Sequence, residues 1–165
     1  MTMARAMNLN ASWHPDLEVT ALLHDLGRAG MAPGLFGRVF GLAQKLGLPV
    51  RLRELRSQYP DIPEGNTTVF FLDLIRPALR TEGIEVTTQL IDHIRMRMDF
   101  KGRLEEILEE KQPELTRLGV TVKPWMKKVM LYYYYPQEMA GELEDVLVMG
   151  MILVASENFE AHNNR

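Results

Sequence analysis

The sequence has no cysteine among its 165 residues, which removes disulfides and thiolate metal ligation and fits a reducing interior. No charge sign dominates. The 19 basic and 22 acidic residues leave a net charge of -3, which argues against wholesale binding of phosphate backbones. Long apolar runs are missing as well: the longest, "VLVMGMILVA", is about half of the roughly 20 residues that a membrane-crossing helix needs. The opening "MTMARAMNLN" has no apolar stretch that reads as a signal peptide. A Gly-rich P-loop, a dinucleotide fingerprint, a G-x-S-x-G elbow and an H-E-x-x-H pair are all absent, so the commonest enzyme classes lose their signatures. These absences lead to the expectation of a soluble, cytoplasmic protein with no membrane contact.

What is present is an ordinary globular composition, 46% hydrophobic and 25% charged. One apolar core can serve a chain of this length. The expectation is a single helical domain over 13–160, preceded by a flexible lead at 1–12 and followed by a frayed tail at 161–165. The fold class read from the pattern is all-α or mostly α, with room for one or two short strands near 119–135.

Helix signals run along the chain. In "HPDLEVTALLHDLGRAG" the proline suits a first helical position, Asp16 and Glu18 favour the positive end of the dipole, and Gly27 or Gly30 closes the helix. Val19, Leu22, Leu23 and Leu26 form its apolar stripe, which puts His24 opposite, with Leu17, Ala21 and Arg28. That face meets solvent or lines a site. "PGLFGRVFGLAQKLGLP" and "PVRLRELRSQYP" read as short helices, and "DIPEGN" as a loop. "TTVFFLDLIRPALRTEG" reads as a helix bent near Pro77, with a strand up to Ile75 as the alternative; its length and Gly83 favour the helix. Between Thr87 and Gln112 the apolar stripe rotates by about a quarter to a third of a turn at 100° per residue. Asp99 and Gly102 therefore mark a kink or break. "PELTRLG" reads as a separate short helix and "VTVKP" as a connector. "PWMKKVMLYYYYP" is helix or strand. Between Val146 and Ala155 the last helix is apolar all round, the pattern of a core or interface helix.

With those residues in view, "PDLEVTALLHDLGR" resembles the second helix of HD-domain proteins, a helical superfamily of metal-dependent phosphohydrolases. The resemblance covers that one helix, residues 15–28. It implies a divalent metal held by His24 and Asp25 with an earlier histidine and a later aspartate, the metal activating water for attack on a phosphate ester. The setting of Asp73 in "VFFLDLIRPAL" makes it the later ligand. The only earlier histidine, His14, lies ten residues before the pair on the same helix. That is about 15 Å along the axis, against metal bonds of about 2 Å, so one ligand of the set is missing. Superfamily members without their ligands serve as signalling or docking modules.

A second candidate is "KPWMKKVMLYYYY", whose Trp125, Lys127, Lys128, Tyr132, Tyr133, Tyr134 and Tyr135 combine cations with rings. Such a strip holds single-stranded nucleic acid by phosphate pairing and stacking, or another protein through half-buried aromatics. The acidic net charge ranks the protein partner first. In "HIRMRMDFKGR", Arg95, Arg97, Lys101 and Arg103 stand near His93 and could receive a phosphate, but Asp92, Asp99 and "LEEILEE" offer ordinary pairing. Glu138, Glu142, Glu144 and Asp145 suit a helix amino terminus and have no Glu-x-x-His companion.

The sequence thus reads as a non-catalytic protein-binding module, an adaptor, regulator or assembly subunit without cofactor, acting through the tyrosine segment and the apolar last helix on another protein or on itself. Two alternatives stand beside it: an HD-like phosphohydrolase using a divalent metal at His24, Asp25 and Asp73, and a single-stranded nucleic-acid binder.

Overall fold

A computed structural model describes residue 4 and residues 7–163, with side chains as far as Phe159. Among the described residues there are eight α-helices and no strand. They are α1 (His14–Leu23), α2 (Pro33–Lys45), α3 (Leu52–Gln58), α4 (Thr67–Thr81), α5 (Thr88–Met98), α6 (Phe100–Arg117), α7 (Pro124–Leu131) and α8 (Glu144–Asn163). Short 3-10 turns occupy Ala11–Trp13, Leu26–Arg28 and Pro136–Met139. No helix is long and apolar enough to cross a membrane.

The chain divides into a central unit, Leu26–Glu110, and a terminal unit made of the stretches up to Asp25 and from Lys111 onward. Each unit has an apolar cluster of its own.

In the central unit α2, α4 and α5 pack pairwise. Val39, Phe40 and Ala43 meet Phe71, Ile75 and Leu79, with Leu90, Ile94 and Met98 closing the cluster. Phe40 stacks on Phe71 at 5.4 Å between centroids. Burial of each such side chain stabilises the unit by about 1.5–3 kcal/mol against an exposed reference. Thr67 donates its hydroxyl to the Met98 carbonyl, whereas the buried hydroxyl of Thr68 has no hydrogen-bond partner. Buried His93 accepts the Ala32 amide at 2.8 Å on Nε2 and donates Nδ1–H to the Gln89 carbonyl at 2.6 Å.

The stretch from Thr88 to Arg117 is broken at Asp99, as the rotating stripe predicts. Asp99 leaves helical geometry at φ -144° and ψ 54°, and its carboxylate accepts the Gly102 amide at 3.4 Å. A Cβ on residue 102 would stand 2.7 Å from that carboxylate, so the glycine makes room for the cap. Burial pushes the Asp99 carboxyl above its ordinary range, against the opposing Gly102 hydrogen bond and the nearby arginines. The separate helix expected from Pro113 is instead the end of α6. Proline at this position removes one amide bond, to the carbonyl of exposed Glu109, which water can serve.

In the terminal unit α7 packs on both α1 and α8. Leu9, Leu17, Val129, Val146, Met149, Ile152 and Leu153 form its core, so the expected loose lead contributes Leu9, and Ala4, to the interior. The remainder of that expectation, at residues 1–3, 5 and 6, lies outside the described residues. The tail expected to fray from 161 is helical to Asn163, and residues 164 and 165 lie outside the described set. Trp13 stands edge-on to Trp125 at 5.3 Å and donates its indole N–H to Asp145 at 2.8 Å. Gly150 lets Tyr132 approach α8: a Cβ there would lie 3.0 Å from the ring. Residues 119–135 hold no strand; Pro124 starts a helix, and strand propensity alone decides little where no neighbouring strand offers pairing.

The buried face of α1 is the opposite of the predicted one. Leu17 and Thr20 are buried and Leu22 is 78% exposed. Thr20 donates its hydroxyl to the Asp16 carbonyl at 2.7 Å, which satisfies it and lets it enter the core. The helix also stops at Leu23, so Leu26 is not on its wheel.

Candidate functional site

Because α1 turns its Leu17, Thr20 and Ala21 side inward, His24, which ends the helix in αR geometry, lies on the packed side. Its Nδ1 is 2.5 Å from the Ala21 carbonyl, an oxygen that only accepts, so Nδ1 carries a hydrogen. Nε2 then faces two carboxylates: Glu157 Oε1 at 2.9 Å and Asp25 Oδ2 at 3.6 Å. Glu157 comes from the last helix, where it continues the buried row Val146, Gly150 and Leu153. The hydrogen bond from Glu157 is the largest influence on the imidazole and raises its pKa above 6.5. Burial works against it, while the Ala21 carbonyl and the charges of Asp25 and Glu157 add to the rise.

One ligand atom from each of His24, Asp25 and Glu157 lies within 4.8 Å of the others, and this is the one such group of three among the described residues. An imidazole nitrogen and two carboxylate oxygens converging in this way hold a proton or a cation between them. The side chain that joins the pair is therefore Glu157, and Asp73 does not join this group. Asp73 belongs to the central unit, exposed on α4 and paired with Arg76 at 3.1 Å. His14, at the start of α1, keeps its Nε2 buried without a hydrogen-bond partner and is also outside the group. The signal of Glu157 in the sequence is weak: a carboxylate in register with the apolar row Val146, Gly150 and Leu153.

The tyrosine segment does not form one surface. Tyr135 is 1% exposed and belongs to the interior, and Tyr132 fills the space over Gly150. Burial takes Tyr135 off the contact surface expected of it, while Tyr132 stays half-buried. Trp125 is occupied by Trp13, and Lys128 pairs with Glu142. Lys127 is half-buried, while Tyr133 is exposed with its ring edge-on to Tyr134 at 4.9 Å. Lys123, beside Trp125, pairs with Asp16 at 2.5 Å. In the central unit the basic cluster is paired as well: Arg95 reaches Glu106 at 2.7 Å and Lys101 reaches Glu64 at 3.6 Å. Arg97 lies over Phe40, 5.0 Å from the ring centroid.

The outer side of α8 is different. Met151, Ala155 and Phe159 recur every fourth residue along it, with Leu143 exposed just before the helix and Leu147 half-buried against the terminal cluster. Leu143, Met151 and Phe159 are 65%, 42% and 69% exposed, and Ala155 is exposed between the last two. No charged residue occurs from Val146 to Ser156. Compared with family models, curated proteins and solved structures, the chain matches none.

Proposed function

We propose that this protein is a non-catalytic helical docking module, an assembly subunit whose terminal unit pairs through the outer ridge of α8 with a second copy of the chain. One observation carries the reading. The inner row of α8 is already packed in the terminal core, yet a second apolar row, Met151, Ala155 and Phe159, faces outward. Scattered exposed apolar residues are normal, whereas a contiguous ridge marks an interaction surface.

The chemistry of the ridge favours a copy of itself. It is uncharged from Val146 to Ser156, so two copies meet without like-charge repulsion and need no complementary partner. Its order of sizes is large, small, large: Met151, Ala155, Phe159. Two such ridges crossing at Ala155 seat each copy's bulky side chains beside the other's notch, the arrangement of i±4 ridges packed at about -50°. The nucleic-acid alternative has weaker support, since Lys123 and Lys128 are engaged with Asp16 and Glu142.

The test is sedimentation equilibrium on the full chain and on Met151→Glu. The unmodified chain associates reversibly, and the variant, which buries a charge only when associated, weakens dimerisation by at least about 10-fold with an unchanged circular dichroism spectrum. A wild-type chain that stays monomeric at every concentration, or a variant that dimerises equally well, overturns the proposal.

A further inference from the structure

We infer that His24, Asp25 and Glu157 form a binding site for a divalent first-row transition cation, of the zinc or manganese class, which ties the end of α1 to α8. The site is independent of the docking ridge, because Glu157 continues the inner row of α8 and Met151, Ala155 and Phe159 lie on the outer one.

The spacing of the donors is the first support. Bonds of about 2.1 Å to nitrogen and oxygen place neighbouring donors about 3.0 Å apart in octahedral and about 3.4 Å apart in tetrahedral coordination. Nε2 of His24 stands 2.9 Å from Glu157 Oε1 and 3.6 Å from Asp25 Oδ2. These edges bracket both geometries, and the whole group fits within 4.8 Å.

The second support lies outside the three donors. A histidine ligand needs its far nitrogen held by an acceptor, which fixes the tautomer and points the lone pair at the metal. The Ala21 carbonyl holds Nδ1 at 2.5 Å. The lone pair on Nε2 is thereby aimed at carboxylate oxygens, which are themselves acceptors. Two acceptors at 2.9 Å repel unless something positive stands with them. A proton on Nε2 answers that arrangement, and a cation that displaces it answers it too and offsets both carboxylate charges. The imidazole selects a transition cation over magnesium or calcium, which prefer all-oxygen cages. Three protein donors leave at least one position to water, as in open sites.

This donor set differs from the one the HD resemblance implies, since its third member is Glu157 and not Asp73. The experiment separates them. Chelator-treated full-length protein is titrated calorimetrically with zinc chloride and with manganese chloride, alongside His24→Ala, Glu157→Gln and Asp73→Asn. The expected result is one cation per chain, lost in His24→Ala and weakened at least about 10-fold in the near-isosteric Glu157→Gln, with Asp73→Asn unchanged. Cobalt added to the unmodified chain gives a visible absorption band that zinc abolishes, a readout that needs no variant to fold. Absence of saturable binding, full retention in Glu157→Gln, loss in Asp73→Asn, or no cobalt band overturns the inference.

Discussion

Two histidines, one in each unit, begin alike and end differently. His93 in the central unit donates Nδ1–H to a carbonyl four residues back, and His24 in the terminal unit donates it to one three residues back. The second nitrogen separates them. That of His93 receives the amide of Ala32, a donor, and the ring is complete. That of His24 is met by Glu157 and Asp25, both acceptors, and the ring is complete only with a proton or a cation. Burial and a fixed tautomer are shared by structural and functional histidines; the polarity of the partner on the far nitrogen tells them apart. The same contrast holds at larger scale, since the central unit turns its cations onto carboxylates and aromatic rings while the terminal unit presents an uncharged ridge.

Replacing each ring by alanine is the strongest way to break the comparison. His93→Ala takes the acceptor from the half-buried Ala32 amide and opens a cavity where a buried ring stood, so it lowers stability by about 2–5 kcal/mol in urea titration. An effect below about 1 kcal/mol would place His93 outside the structural class. In chelated protein, His24→Ala removes a half-buried, partly solvated interaction and costs only about 1 kcal/mol. A loss as large as that of His93→Ala would make His24 structural too.

The smallest effect concerns Asp99 and sharpens the account of how the central unit ends a helix. Its carboxyl is raised above 3.8 by burial, so the folded chain holds this proton more tightly than the unfolded chain. Its contribution to stability is therefore complete below 3.8 and is lost as pH rises through the raised value. Asp99→Asn keeps a side-chain cap for Gly102 and cannot ionise. Denaturation midpoints across the acid range should then fall less with rising pH in the variant than in the unmodified chain; parallel curves would exclude Asp99 as the cause.

How much of this was legible beforehand follows from where each signal resides. The break at Asp99 and the helix through Pro77 were readable, because a rotating stripe, a capping aspartate and a terminal glycine are local features. The inner face of α1 was not: counting leucines placed Leu22 inside, and only the hydroxyl bond from Thr20 to Asp16 explains why a threonine is buried instead. The site was half legible. His24 and Asp25 were singled out by their adjacency. Their companion lies more than a hundred residues later, and no local pattern joins α1 to α8 without the packing of α7 between their sequences. The tyrosine run misled for a related reason, since side chains at a helix end point in several directions and Tyr135 turns into the core.

The absence of native cysteine permits the most direct test of the docking ridge. Single cysteines are introduced as Ala155→Cys, at the centre of the ridge, and Leu118→Cys, exposed elsewhere in the same unit, and each protein is mildly oxidised and run on a non-reducing gel. Self-pairing across a two-fold axis at residue 155 predicts rapid formation of a covalent dimer by Ala155→Cys and little by Leu118→Cys. Equal slow cross-linking of both would contradict it.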